Sequence, residues 1–269
     1  IIGAGSVGKL VPLLRDALVR RELTQFGARL REALPGTNVS DEAPWWELTT
    51  LGVGGMRPLT IAPRSIEELR TVLALCRDGD IRPFILGRGS NLVGADTPSR
   101  TLVIRLTSPA FLAIEAVGDG IEAGAGVSLP KFCRQLLDKG ELPADWAPLA
   151  WIPGSLGGAV RMNAGADGIA MADVVRSVAG ITHDGTDWQA KREDIDWSYR
   201  RTNLPDDVII THVTFERPPA VDAAAAQARY RETGERRRLT QPRAPSAGCV
   251  FRNAGETSAG QLLDRCGCK

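Results

Sequence analysis

Apolar residues recur at helical spacing in "SIEELRTVLALC", where Leu69, Val72, Leu73 and Cys76 form one stripe behind Ser65 and Glu68, a pair with the form of a capping box. The pattern predicts a helix that lays this stripe on a sheet. A second helix is expected from about Leu129 to Lys139, with Ser128 as N-cap, Pro130 in the first turn and Gly140 at its end. A third spans roughly Asp222 to Leu239, rich in alanine and then in arginine. A short fourth, Ser258 to Cys266, repeats the capping pattern with Gln261 and stops at Gly267. The segments "PLTIAP", "RPFILG", "TLVIRL", "FLAIEAV", "GIEAGAG", "VVRSVAGIT" and "VIITHVTFE" read as strands. In the last, Ile209, Val213 and Phe215 share a face with Thr211, while His212, Thr214 and Glu216 point the other way, as a half-buried strand requires. Pro218 and Pro219 end that run and mark a domain boundary. The chain therefore belongs to the α+β or mixed α/β class, without an internal repeat.

Its 269 residues leave room for one large domain or two smaller ones. Thirty-three basic and 32 acidic residues give a net charge of +1, which carries no electrostatic footprint of a nucleic-acid or membrane-surface binder, so an anionic ligand has to be met by local groups. Cys76, Cys133, Cys249, Cys266 and Cys268 form no CxxC pair, and His183 and His212 are the only histidines; neither a disulfide framework nor a metal site is expected, and a reducing compartment fits. No run of about 18 or more apolar residues appears and no basic-then-apolar leader opens the chain. The expectation is a soluble, cytoplasmic protein whose start is missing, since the first residue is Ile1.

Two kinds of glycine-rich stretch could cradle phosphate. "GAGSVG" at Gly3 to Gly8 fits the GxGxxG pattern, but only Ile1 and Ile2 precede it and no second strand follows to close a βαβ unit; a glycine turn between strand and helix is expected there. "LGRGSNLVGAD" (residues 86–96) and "WIPGSLGGAVRMNAGADG" (residues 151–168) are richer. Their composition reads as backbone that approaches a ligand closely and aims N–H groups at it, and not as a packed element. A pair of such stretches flanking several strands points to a large phosphate-bearing cofactor.

Taken in order, "TTLGVGG", "LGRGSNLVGAD", "WIPGSLGGAVRMNAGADG", "WSYRRTNLP" and "QPRAPSAGCVFRNAGETSAGQLLDRCG" resemble the UDP-N-acetylenolpyruvoylglucosamine reductases, over about residues 32–269. The resemblance implies the FAD-binding fold of the vanillyl-alcohol oxidase and p-cresol methylhydroxylase type. A two-lobed FAD-binding domain over residues 32–217 would be followed by the start of a smaller α+β substrate domain over residues 218–269. It implies that Gly87, Arg88, Gly89, Ser90, Asn91 and Leu92 wrap the FAD pyrophosphate. Ile152, Pro153, Gly154, Ser155, Gly157, Gly158, Asn163 and Gly165 would line the other side of the cofactor. Residues 1–25 are similar to the closing strand, turn and helix of UDP-N-acetylmuramate-alanine ligase, which implies a fusion to a Mur ligase of a neighbouring step.

The implied chemistry uses NADPH as reductant of FAD, hydride transfer to C3 of the enolpyruvyl ether and protonation at C2, in peptidoglycan precursor synthesis. An arginine beside another arginine reads, by itself, as a solvated pair or as a carboxylate clamp; the resemblance assigns Arg200 to the substrate carboxylate and Tyr199 to the substrate. A free cysteine is by itself a small core residue; the resemblance makes Cys249 the proton donor, a role suited to a thiol because it is a better acid than a hydroxyl. Asn253 matches a substrate-contacting position, and Arg237 is assigned to the UDP diphosphate. His183 and His212 receive no role. The sequence departs from the family in three places. Ala254 stands where proline is common, no inserted loop fits between Phe215 and Val221, and no glutamate beyond Lys269 is there to assist the enolate, so a C-terminal truncation is expected. Another FAD oxidoreductase of the same fold and a non-catalytic FAD-binding fragment stay open as alternatives.

Overall fold

The computed structural model describes residues 4–217, 221–241, 244–253 and 257–268, with side chains from Val11 onward. Helix α1 (Ala4–Ala33) leads into strand β1 (Asn38–Ser40) and a single helical turn, α2 (Trp45–Leu48). Then come β2 (Leu59–Ala62), α3 (Ile66–Asp78), β3 (Arg82–Ile85) and β4 (Thr101–Ile104). These strands form a four-stranded sheet of order β1-β2-β4-β3, in which β2, β4 and β3 run parallel and β1 is an antiparallel edge. Parallel strands need a crossover, and α3 supplies the one from β2 to β3, with β4 lying between them. The expected apolar stripe of α3, Leu69, Val72, Leu73 and Cys76, is buried. Ser65 accepts the Glu68 N–H as its cap, but the reciprocal half of the capping box is diverted: the Glu68 carboxylate accepts from the Arg64 N–H and from Thr37 Oγ1. Helix α1 buries Leu23, Phe26 and Leu30 in the same core. It runs unbroken through Gly5 and Gly8, so the glycine turn expected in "GAGSVG" is corrected to helix from Ala4 onward, while Ile1, Ile2 and Gly3 lie outside the described residues.

The second sheet is antiparallel and larger. Strands β5 (Ile114–Val117) and β6 (Gly120–Gly124) precede helix α4 (Leu129–Asp138), a 3₁₀ segment (Ala144–Trp151), helix α5 (Leu156–Arg161), the two-residue strands β7 (Gly165–Ala166) and β8 (Ile169–Ala170), and the turn of helix α6 (Met171–Val174). Strands β9 (Val175–Thr182) and β10 (Asp187–Lys191), the small hairpin β11 (Trp197–Ser198) and β12 (Arg201–Thr202), and strand β13 (Val208–Glu216) follow. The sheet order is β10-β9-β13-β6-β5. Central β13 shows the expected alternation only beyond His212. In its pairing with β9 the register shifts between Ile210 and His212, a bulge at Thr211, and Val208 through Thr211 are all buried. Phe215 lies 4.4 Å from the ring of Phe132 and 6.2 Å from that of Trp146, so α4 and the 3₁₀ segment pack on the centre of this sheet.

The glycine-rich stretch 151–168 corrects a second expectation. It does build a packed element: α5 buries Leu156, Ala159 and Val160 with Ser155 as its cap. Helix α7 (Ala223–Thr240), capped by Asp222, and α8 (Ala259–Arg265), capped by Ser258, agree with the expected third and fourth helices. A side chain at Gly234 of α7 would collide with the Trp151 ring, and Trp151 Nε1 donates to the Tyr230 carbonyl at 3.1 Å; α7 thus presses directly on the 3₁₀ segment. No helix among the described residues is long and apolar enough to cross a membrane.

Candidate active site

Open parallel sheets bind ligands outside the carboxyl ends of their strands. Here β3 and β4 end together: Ile85 pairs with Ile104, and the Leu86 N–H donates to the Ile104 carbonyl at 2.9 Å. Beyond this point the chain leaves β3 as the loop 87–91. Leu86 and Leu92 anchor the loop in a small apolar cluster with Trp45, Met56 and Val103. The Thr50 N–H donates to the Gly89 carbonyl at 3.0 Å, holding the loop against the segment after α2. No backbone N–H from Gly87 through Asn91 has an acceptor among the described residues. Backbone donors pointed into solvent in a tight turn form an anion-binding concavity.

The second glycine-rich stretch closes on this loop. Ser90 Oγ donates to the Pro153 carbonyl at 3.0 Å, and a side chain at Gly87 would come 2.5 Å from Ser155 Oγ. Backbone bonds from Leu156 to the Val127 carbonyl (2.8 Å) and from Gly157 to the Ala125 carbonyl (2.9 Å) fix the start of α5 to the turn after β6. A side chain at Gly126 would run into the Leu106 carbonyl, so this turn in turn packs on the chain leaving β4. Between these walls lies a cleft of about 460 Å³, lined by both glycine-rich stretches, by Thr49 and Thr50, and by Ile209 and Ile210 of β13.

Of the residues singled out in the sequence, Gly87, Arg88, Ser155, Gly157 and Gly158 line the cleft. Gly89, Ser90, Pro153 and Gly154 make the contacts between the walls. Asn163 and Gly165 lie past α5. The Asn163 amide donates to the Ser198 carbonyl and accepts the Ala172 N–H, each at 3.1 Å, and Gly165 pairs with Ala170. Asn163 thereby ties the glycine-rich stretch to the β11–β12 hairpin, whose turn is Tyr199 and Arg200. Arg200 has φ +59, a left-handed conformation that costs a non-glycine residue about 1 kcal/mol or more and that clusters at functional sites. Its guanidinium lies 5.6 Å from the centre of the exposed Tyr199 ring.

Cys249 is exposed, and the position of a side chain at its neighbour Gly248 is 3.8 Å from Asn91 Oδ1, so its segment passes over the 87–91 loop. Asn253 Oδ1 accepts the Ala259 N–H at the start of α8. Arg237 is half-buried on α7, where burial and neighbouring Arg236 lower its pKa from the usual guanidinium value. Arg236 itself is paired with Asp167 of the glycine-rich stretch. No hydrogen bond or ion pair among the described residues joins the Arg237 or Asn253 side chain to the cleft, and neither residue lines it.

Two arginines at the cleft, Arg105 and Arg161, were not anticipated. The available signal was a lone charge closing an apolar strand in "TLVIR" and another inside "GGAVRMN". Arg161 donates to the carbonyls of Leu204 and Pro205, each at 2.9 Å, and Val208 at 2.5 Å, while its own carbonyl accepts from Thr202 Oγ1 at 3.2 Å. Burial lowers its pKa. The residue staples α5 to the whole segment between the hairpin and β13. Arg161→Met is expected to cost about 2–4 kcal/mol, since hydrogen bonds from a charged donor contribute ~1.5–3 kcal/mol and the carbonyls are left without partners. Urea unfolding measures this, and an unmoved midpoint would show that the staple is idle.

A family model described as an FAD binding domain matches residues 58–190. The UDP-N-acetylenolpyruvoylglucosamine reductase of Trichormus variabilis is 35% identical over 240 residues, covering 88% of this chain and 72% of that protein. The crystal structure of the same reductase from Thermus caldophilus superposes with a TM-score of 0.73 at 31% identity, covering 86% of this chain and 80% of that one. Substrate-bound p-cresol methylhydroxylase superposes at 0.52 with 15% identity, over 74% of this chain and 44% of that one, which is a likeness of fold.

Proposed function

The chain belongs to the UDP-N-acetylenolpyruvoylglucosamine reductase family, and from that premise we propose that its cleft holds FAD and that Arg200 and Cys249 carry the reduction of UDP-N-acetylenolpyruvoylglucosamine to UDP-N-acetylmuramate at the expense of NADPH. The observation that carries the reading is the meeting of the two glycine-rich stretches at the carboxyl ends of β3 and β4, with the N–H groups of Gly87 to Asn91 left without acceptors among the described residues. These features fit an extended cofactor with a diphosphate at its middle. When bound, FAD supplies the relay that accepts hydride from NADPH and passes it to C3 of the enolpyruvyl ether.

The chain's own side chains are then responsible for the substrate. Addition of hydride at C3 leaves charge on C2 and its carboxylate. Arg200 offers a planar fork to that carboxylate and stabilises the enolate-like charge. Tyr199, stacked beside it, bounds the same site. Cys249 gives the proton to C2, which balances the hydride at C3 and completes the lactyl ether. Arg237 and Asn253 are assigned to the UDP-sugar. The substrate and NADPH place the activity in the cytoplasm and peptidoglycan precursor synthesis. Residues 32–217 form the FAD-binding domain and 218–269 begin the substrate domain. The first 25 residues are assigned to the tail of a ligase-like domain.

Arg200→Lys tests the assignment. Lysine keeps the charge and loses the two parallel hydrogen bonds, so reoxidation of the reduced protein by the enolpyruvyl substrate should slow about 10–100-fold. Reduction by NADPH should stay within about twofold of the parent, as expected for an interaction made only with the substrate. Equal losses in the two half-reactions, read by stopped-flow absorbance, would move Arg200 into the cofactor site or the fold.

A further inference from the structure

Two guanidinium groups that the sequence did not mark border the cleft, and they differ in what they already hold. Arg161 is committed to three backbone carbonyls. Arg105 is not committed: its Nε is fully enclosed and has no hydrogen-bond partner among the described residues. No ion pair among those residues includes it. Its backbone is nevertheless fixed, with its N–H on the Ile61 carbonyl at 2.8 Å and its carbonyl accepting from Thr107 at 3.0 Å. A desolvated donor of a cationic group without an acceptor is unfavourable, and such groups are normally paired. Arg105 also lines the cleft, which is where the rest of its guanidinium can meet an acceptor.

The position of Arg105 identifies that acceptor. It follows Ile104, whose carbonyl receives the Leu86 N–H, so Arg105 and the Gly87–Asn91 loop leave neighbouring parallel strands side by side. Adjacent strands are about 4.8 Å apart, and Arg105 lines the same cleft as Gly87 and Arg88. We propose that Arg105 is the fixed cation for the diphosphate of bound FAD, facing the anion from the β4 side while the Gly87–Asn91 backbone faces it from the β3 side. The proposal rests on the reading of the cleft as the FAD site. It gives a nearly neutral chain a local positive charge at the one place where its cofactor is anionic.

The test is a titration of FAD into the apoproteins of the parent, Arg105→Lys and Arg105→Met, followed by flavin fluorescence at low and high salt, with riboflavin, which lacks phosphate, in parallel. Arg105→Met should raise the Kd for FAD about 10–100-fold, the range of a charge-assisted hydrogen bond, and should flatten its salt dependence. Lysine should recover part of the affinity. Riboflavin affinity and the apoprotein melting temperature should be the same in all three. An Arg105→Met protein that binds FAD as tightly as the parent overturns the proposal, and so does an equal loss for riboflavin, which would put Arg105 on the flavin ring or in the fold. A parent protein that binds no FAD at all would instead overturn the assignment of the cleft.

Discussion

Cys249→Ala should leave reduction by NADPH nearly intact and slow reoxidation by the enolpyruvyl substrate by about 10²–10⁴-fold, the usual worth of a positioned general acid. The five free cysteines separate sharply by environment. Burial pushes Cys76 and Cys133 up to about 12, so they are inert core residues of α3 and α4. Cys249 is exposed, on a segment whose Gly248 approaches Asn91 of the 87–91 loop. Because the required species is the thiol and not a thiolate nucleophile, Cys249→Ser should keep useful activity: a hydroxyl of similar size can occupy the same place and donate. The three proteins compared by stopped-flow reoxidation decide the matter. An alanine variant that reoxidises as fast as the parent would make Cys249 a bystander and place the proton elsewhere.

An equally large effect, on cofactor and not on chemistry, is expected from Gly89→Ala. Gly89 has φ +65, and a side chain there would collide with the Leu48 carbonyl and stand 2.8 Å from Thr49 Cα. Both obstacles are backbone on the wall of the cleft, so the loop and not a side chain has to move. FAD affinity should fall by about 100-fold or more, several hydrogen bonds to one anion being lost together. Gly118→Ala is the matched control. It has a similar φ of +58 in the turn between β5 and β6, and no atom within 4 Å of an added side chain. It bears the same backbone cost of about 1 kcal/mol without the collision, and should bind FAD as the parent does. Equal affinity loss in both variants would mean that general destabilisation, and not displacement of the loop, is responsible.

Elements governed by local rules were legible in the sequence. The stripe Leu69–Cys76 and the serine caps of α3 and α8 depend on neighbours within a few residues, and the structure repeats them. Ser128 is the N-cap of α4 by position, yet its side chain makes no capping bond and its backbone bridges to Ser155 instead. Helix α5 escaped notice because its glycines argue against helix by propensity, while bonds from Leu156 and Gly157 to the carbonyls of Val127 and Ala125 hold it in place. The two-residue strands β7, β8, β11 and β12 are too short to show a period.

The same division applies to the site. The glycine-rich stretches announced themselves by composition, and the motif resemblance placed Arg200 and Cys249. Arg105 and Arg161 are single charges in apolar contexts, whose meaning comes from what the folded chain puts around them: the lining of the cleft for the first, backbone carbonyls for the second. The bulge at Thr211 likewise has no local signature, being set by the register of β13 against β9.

The central claim is that the cleft between residues 86–92 and 151–168 holds the FAD of an enolpyruvyl reductase. An anaerobic spectral titration tests it most directly. The protein, supplied with FAD and freed of excess, should retain flavin in a stoichiometric amount, lose its visible absorbance on addition of NADPH, and regain it on addition of UDP-N-acetylenolpyruvoylglucosamine with formation of UDP-N-acetylmuramate. A protein that retains no flavin, or whose reduced flavin is left unchanged by that substrate while alcohols or sugars reduce the oxidised form, would contradict the account.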